Sequence, residues 1–467
     1  MNRRQFLTGA VALGTAQLLP RPLSAQTPSG GVSPLEVRLG TSLSLTGIHG
    51  VRDYDYLRGF LSLINDTNSR GGIHHRRLSL FLRDHGDDPR RAMADTTILM
   101  RRHDIFALAA FGNTDAVVRV LPLLRRSAGV ARQDLPMFGS LSGAPSLRAT
   151  ELQDIVTSLR PSFRDEMQRW TDLCRAEGHH KIGICHRGDA EGRSLVEALR
   201  HGMRSAEPTV EGMESDGLTP TSSSTPSIDA GGPGGGASGT TVDLVEAVMH
   251  PQMATLDLVH FFKKHQVDAM VCALPFPQAV DWLYITDGLQ WRVPTVLPST
   301  LPGEALAEEL NRRGMDDAER PLFQSRTVPP LNQHPVLIHR FKNITRQDAG
   351  LKEEWRPDQA KQYPWTAAGL EGFLTAAALI RSFEAAGPEL KHSTWKGPAS
   401  AQMGSWIPEE PGGTSQESQD ELTPELSEGI APSDEDSMSP NSIRSASVWL
   451  TRLDDSGRWR EVDSSPA

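Results

Sequence analysis

Apolar residues recur along this chain in two alternating rhythms. Short continuous runs suit strands buried on both faces of a parallel sheet, and stretches with three- and four-residue spacing cover one face of a helix. Val37–Ser42 is a short run ending in the turn Ser44-Leu45-Thr46-Gly47, and Tyr54–Ile64 follows with helical spacing. Leu78–Leu82 reads as the next strand. Asp88-Pro89 then pairs an N-cap with proline at the first helical position, opening a helix through about Arg102. Ile105–Ala110 predicts a strand ending in Phe111-Gly112-Asn113-Thr114, with a helix from Asp115 to about Arg126, and Pro136–Gly139 predicts another strand. After Ile155–Leu159 the rhythm restarts. Helices are expected over Phe163–Ala176, Ala190–Arg204, Leu256–His265, Gln278–Asp287 and Gly303–Arg313. Strands are expected at Lys181–His186, Ala269–Leu274 and Thr295–Leu297. Repeated strand–helix units with short links predict an α/β protein with parallel sheets covered by helices, and two such series predict two similar lobes. Ligands of such sheets sit at the carboxyl ends of the strands, where the polar loops meet helix N-termini.

Two stretches break the rhythm. Thr219–Thr240 is rich in Gly, Ser and Pro and reads as a flexible insertion. Glu409–Asp436 holds ten acids and neither Lys nor Arg, too little apolar surface to offset the entropy of ordering, so disorder is expected over about 403–445. Trp449–Val462, with Asp455-Ser456-Gly457 between two strand-like runs, reads as a closing β-hairpin.

The first 25 residues read as an address. A basic start, an apolar middle and the small pair Ser24-Ala25 have signal-peptide anatomy, and Arg3-Arg4-Gln5-Phe6-Leu7 looks like a twin-arginine export motif, with an ordinary Sec signal as the alternative. No cysteine stands near the cleavage point, so a lipoprotein anchor is not expected. The remaining body suits two to three domains at roughly 150 residues each. The whole chain's formal charge of −10, made more negative by loss of Arg3, Arg4 and Arg21, argues against a nucleic-acid binder. Past residue 30 no apolar run reaches the roughly 18 residues of a membrane span. The cysteines, Cys174, Cys185 and Cys272, form no CxxC and suit neither a disulfide framework nor a thiolate zinc site.

Catalytic motifs are missing from the sequence. There is no P-loop and no HExxH, and the glycines at 231–236 lie in low-complexity sequence rather than behind a strand. Gly139-Ser140-Leu141-Ser142-Gly143 resembles a nucleophile elbow but carries Leu141 where the serine belongs. His74-His75, His179-His180-His186 and His260 with His265 lack metal-ligand spacing, and Asp84, Asp87 and Asp88 suit turns and caps better than acid–base work. No enzyme activity, cofactor or metal is expected.

A resemblance rests on ordered motifs. They are Val37-Arg38-Leu39-Gly40-Thr41-Ser42-Leu43-Ser44-Leu45-Thr46-Gly47, Gly59-Phe60, Ile64-Asn65, Gly71-Gly72-Ile73, Asp84 and Phe111-Gly112-Asn113-Thr114. Ser142-Gly143-Ala144, Arg160-Pro161-Ser162-Phe163 with Asp165-Glu166, and Leu370-Glu371-Gly372-Phe373 continue the series. In this order the chain resembles the leucine/isoleucine/valine-binding type of type I periplasmic solute-binding protein, the receptor that feeds ABC importers. The resemblance covers most of residues 35–390 and the last hairpin. It implies two Rossmann-like lobes on a hinge, lobe 1 at 36–157 and 328–402 and lobe 2 at 158–327, with residues 446–467 returning to lobe 2. Its implied partners are a small organic ligand and the permease subunits of an inner-membrane importer, and its implied location is the periplasm. The alternative from another class is a sensory receptor that reports to a membrane signalling protein.

Carried over residue by residue, the resemblance implies that Asn113-Thr114 and Ser142-Gly143-Ala144 hold a ligand's carboxylate from lobe 1, with Ser44, Thr46 and Gly47 bordering the same cleft. Phe163 and Phe276 would be aromatic walls from lobe 2, and Ser299 would face the ligand beside them. One departure stands out. Amino-acid receptors of this type place a carboxylate after the next lobe-2 strand to pair the ligand's ammonium, whereas here Pro298-Ser299-Thr300 follows that strand. An unpaired buried ammonium is costly, so the expected ligand is an acid without that group, and the branched-chain amino-acid assignment is not transferred.

Overall fold

The computed structural model describes residues 30–125, 134–204, 242–250, 252–315, 321–346, 349–357, 365–392, 395, 448–454 and 458–462. The leader at 1–25, the insertion at 219–240 and the acidic stretch at 403–445 lie outside the described residues.

Five strands form the first sheet: β1 (Glu36–Leu43), β2 (Arg77–Asp84), β3 (Ala107–Phe111), β4 (Met137–Ser140) and β5 (Val156–Thr157), in the order β2-β1-β3-β4-β5. Every pairing among them is parallel. The connections carry α1 (Gly50–Ser69), α2 (Pro89–Ile98) and α3 (Thr114–Leu124). α2 starts as its sequence requires: Asp88 accepts a hydrogen bond from the Arg90 amide at 2.8 Å and Pro89 takes the first helical position. It is shorter than the sequence suggests, because the chain widens into a π-turn at Leu99–His103 and leaves through Asp104 in the left-handed region at φ 48°.

The second sheet holds β6 (Lys181–His186), β7 (Asp243–Val248), β8 (Ala269–Ala273), β9 (Thr295–Leu297), β10 (Leu322–Arg326), β11 (Trp449–Leu453) and β12 (Trp459–Glu461), in the order β12-β11-β10-β9-β8-β6-β7. β6 to β10 run parallel, while the closing hairpin adds two antiparallel strands beside β10. α4 (Phe163–Ala176), α5 (Ala190–Arg204), α6 (Thr255–Lys264), α7 (Phe276–Gly288) and α8 (Gly303–Arg312) connect and cover it. Ser162 and Asp165 start α4 with reciprocal cap bonds.

Past β10 the chain returns to the first sheet as α9 (Pro335–Thr345) and α10 (Ala367–Ala386), which pack with α1 over one face in a core around Phe60, Phe106, Phe341 and Phe373. α1 and α10 touch backbone to backbone. A Cβ on Gly59 would stand 1.9 Å from the Gly369 carbonyl oxygen, and one on Gly372 would stand 1.9 Å from that of Tyr56. A second core runs through both lobes, from Phe111 and Val120 to Phe163, Trp170 and Leu199. Cys174, Cys185 and Cys272 are all buried and free. No helix of the described residues is long and apolar enough to cross a membrane.

Candidate functional site

The carboxyl ends of both sheets face one another, and the loops there build the cleft. In the first lobe the loop after β1 is tied down by two acids. Asp84 accepts bonds from the Thr46 hydroxyl at 2.6 Å and the Leu45 amide at 2.9 Å. Burial pushes its carboxyl up, but those bonds outweigh it and hold the group below the usual value. Asp87 accepts from the Ser44 hydroxyl at 2.6 Å, the Asn113 side-chain amide at 3.2 Å and the Ile48 amide. Gly47 is required by close approach, since a Cβ would lie 2.0 Å from an Asp87 oxygen. Ser44, Thr46 and Gly47 therefore spend their polar groups and their space on Asp84 and Asp87.

Asn113 caps α3, its side-chain oxygen accepting from the Ala116 amide at 3.1 Å. Thr114 opens that helix and shares a 2.9 Å hydrogen bond with the Ser142 hydroxyl, which also accepts from the Ala144 amide at 3.2 Å. Thr114 additionally donates to the Glu191 carboxylate of the second lobe at 3.4 Å. Gly143 lies flat on Phe163: its carbonyl accepts from the Phe163 amide at 2.7 Å, and a Cβ would meet the ring at 2.7 Å. Phe163 is fully buried there beside Ala144, within the core that joins the lobes.

Ser299 belongs to a buried network at the hinge. Glu166 accepts from the Ser299 hydroxyl at 2.7 Å, its amide at 3.1 Å and the Ser325 hydroxyl at 2.5 Å. Arg160 donates to Ser299 and to the Leu141 carbonyl at 2.9 Å, and its Nε stands 3.6 Å from Glu371, which accepts from Thr327 at 2.9 Å. Arg160, Glu166, Thr327 and Glu371 thus clamp the two described passages between the lobes.

The cleft itself, about 480 Å3 counting the space open to solvent, is lined by Ile48, His49, Arg52, Arg187, Glu191 and Phe276 among others. Of the residues singled out in the sequence, Phe276 forms its wall, whereas Thr114 and Ser142 lie behind Glu191. Arg52 reaches across it. Two of its nitrogens hold Asp53 at 2.9 and 3.0 Å, and the third donates to the Thr300 carbonyl of the second lobe at 3.2 Å. A further bridge joins the lobes where the Ala190 amide donates to Asp115 at 2.9 Å. Burial pushes the Glu191 carboxyl up to about 7 against the opposing pull of Arg52, and burial also holds His49 well below its ordinary value. Arg52 and Glu191 escaped the sequence reading. Glu191 follows strand β6 as Thr114 follows β3, at a helix start, so the strand-end rule alone could have found it. Among the described residues no group of three His, Cys, Asp or Glu side chains could hold a metal ion.

Residues 36–228 match the sequence model of a family described as periplasmic binding protein. No curated protein matches the chain. Solved structures are similar in fold. A possible leucine/isoleucine/valine-binding protein from Rhodopirellula baltica superposes with a TM-score of 0.63 at 15% identity, covering 94% of this chain and 98% of that one. A branched-chain amino acid ABC transporter protein from Thermus thermophilus with bound valine gives 0.65 at 12% identity, covering 92% and 96%. An R. palustris solute-binding protein in complex with 4-hydroxybenzoate gives 0.57 at 15% identity, covering 78% and 84%. With the periplasmic-binding-protein match over residues 36–228 and both lobes in place, the chain has the fold of the type I periplasmic binding proteins of the leucine/isoleucine/valine-binding kind.

Proposed function

We propose that this protein is the extracytoplasmic solute receptor of an ABC importer, exported to the periplasm by its first 25 residues, and that it takes a small carboxylate-bearing solute between its lobes. The observation that carries the ligand class is the Glu191 carboxylate, which the second lobe sets against the Thr114 hydroxyl of the first. Hinge opening moves Glu191 away from the paired hydroxyls of Thr114 and Ser142 at the start of α3. A ligand carboxylate then occupies the same donors, and a helix N-terminus favours it there. Solutes named with similar structures point the same way: valine, 4-hydroxybenzoate and a fatty acid all carry a carboxyl group. Closure follows because the lobes contact such a ligand together only when shut, which gives the closed state its differential affinity.

The counter-charge for an ammonium is not supplied where amino-acid receptors have it. Glu166 is enclosed by Ser299, Ser325 and Arg160, and Glu304 is bonded to Arg326 at 2.9 Å. Calorimetry with valine and 3-methylbutanoate tests the reading. A ligand carboxylate beside Glu191 makes that group hold its proton, so the acid binds tighter at pH 6 than at pH 8, and Glu191→Gln flattens the dependence. Tighter binding of valine, strengthening toward pH 8, contradicts the reading and makes Glu191 an ammonium partner.

A further inference from the structure

A second cavity of similar size, about 480 Å3 counting its open part, lies on the hinge side of the Val51–Leu301–Pro302 partition. Asp55, Glu304, Gln324, Arg326, Thr366 and Ala367 line it, among others. Arg326 is the unusual member. It ends strand β10, is only 4% exposed, and lies with its guanidinium 5.7 Å over the ring of Trp459. One of its nitrogens, Nη1, donates to Glu304 at 2.9 Å, while Nε and Nη2 have no hydrogen-bond partner among the described residues. Those two nitrogens form one edge of the guanidinium, the edge that grips a carboxylate with two parallel bonds. A buried donor pair without a partner is costly, and the residue that carries it lines this cavity.

The rest of the wall is mixed: Asp55 and Gln324 each carry an acceptor oxygen without a hydrogen-bond partner among the described residues, while a helix start favours an anion. α10 begins at Ala367 with its N-cap Thr366 on the cavity, so the positive end of a 20-residue helix points into it. That end already draws one carboxylate, because Glu304 accepts from the Ala367 amide at 3.3 Å. The acids facing the space are committed: Glu304 to Arg326 and Ala367, and Glu371 to Thr327 and Arg160. Asp55 stands 3.2 Å from Arg58, and burial pushes its carboxyl up to about 7, which reduces the negative charge it presents near neutrality.

We propose that this hinge cavity is a carboxylate-binding subsite in which the free edge of Arg326 and the N-terminus of α10 hold the anion. The inference rests on the solute-receptor reading of the cleft and adds a second anionic position to it. The carboxylate is either the second acidic group of the bound solute or a free small acid; both present the same two oxygens to Arg326.

The test uses the full chain and titrates acetate and glutarate against chloride at equal ionic strength, reading the melting temperature and tryptophan fluorescence. Carboxylates are expected to stabilise the protein beyond chloride and to change fluorescence through Trp459, a change that Trp459→Phe abolishes. Arg326→Gln weakens the carboxylate response about tenfold or more. Arg326→Lys keeps the charge and the bond to Glu304 but also weakens it, because a point charge cannot replace the fork. Equal loss for acetate and glutarate identifies a free small acid. Loss for glutarate alone, shared with Thr114→Ala, identifies a second head of the cleft ligand. If Arg326→Gln fails to fold, Arg326→Lys decides. Carboxylates acting no differently from chloride overturn the subsite, as does a response undiminished in the folded variants. In either case a solute whose binding depends on Thr114 leaves the receptor reading standing, whereas no solute binding at all removes that reading as well.

Discussion

At the scale of single residues, the hydroxyls of Thr114 and Ser142 carry the ligand argument. If each donates to an anionic ligand, Thr114→Ala and Ser142→Ala weaken binding by about 1.5–3 kcal/mol, roughly ten- to a hundredfold. The cap of α3 is made by Asn113 rather than Thr114, so Thr114→Ala should cost the unliganded protein no cap, only the buried hydroxyl's bonds to Ser142 and Glu191. Lost stability with unchanged affinity would make the hydroxyls structural only. Asp55 offers a second residue-scale test. Its side chain is enclosed at the start of α1, and burial sets its carboxyl at about 7, above the ordinary value of 3.8. The folded chain therefore keeps a proton that the unfolded chain has already released, and this group's share of stability falls as pH rises through 7. Between pH 6 and pH 8 the loss is about 1 kcal/mol. Asp55→Asn should remove that part of the decline in a pH series of denaturant melts; an unchanged slope would show that Asp55 is ionised throughout.

The elements rest on periodicity and on a few small residues. Gly59 and Gly372 let α1 and α10 meet backbone to backbone, so Gly59→Ala forces the helices apart despite alanine's better helix propensity. Overpacking of this kind costs about 1–3 kcal/mol, visible as a lower melting temperature, while Gly288→Ala, with open space around its Cβ, serves as the control. A variant as stable as the parent would mean that the helices can slide.

Most elements were legible because their patterns agree with their burial. Phe163–Ala176, Lys181–His186, Ala190–Arg204 and Thr295–Leu297 fall where the apolar spacing puts them. β7 escaped because it is an edge strand in which Asp243 and Glu246 interrupt the apolar run and no residue is fully buried. β10 escaped for the opposite reason: Gln324, Ser325 and Arg326 are polar yet buried, bonded respectively to Leu301, Glu166 and Glu304. Of the candidate site, Phe276 was legible, whereas the first-lobe loops carry turn and cap residues whose polar groups are largely spent on one another. Its charged members were not, because Arg52 sits in a helix whose pattern gives no sign that it pairs with its neighbour Asp53 and reaches across the cleft to Thr300.

For the whole molecule, the parts form one device. The described passages between the lobes converge on Arg160, Glu166, Thr327 and Glu371, while Arg52–Thr300 and Asp115–Ala190 bridge the far side of the cleft. Rotation about the first group breaks the second and the Thr114–Glu191 contact, and it works against the apolar core that the two lobes share. On the function proposed above, this closure captures a small carboxylate. A thermal-shift screen tests it most directly, with valine, leucine, 4-hydroxybenzoate and short fatty acids run beside their amides and beside matching acids without the ammonium. At least one acid is expected to raise stability by about 2.7 kcal/mol at a hundredfold excess over its Kd, its amide is not, and the acid is recovered unchanged. Stabilisation by an amide or amine in preference to every acid, or recovery of a chemically altered acid, would contradict it.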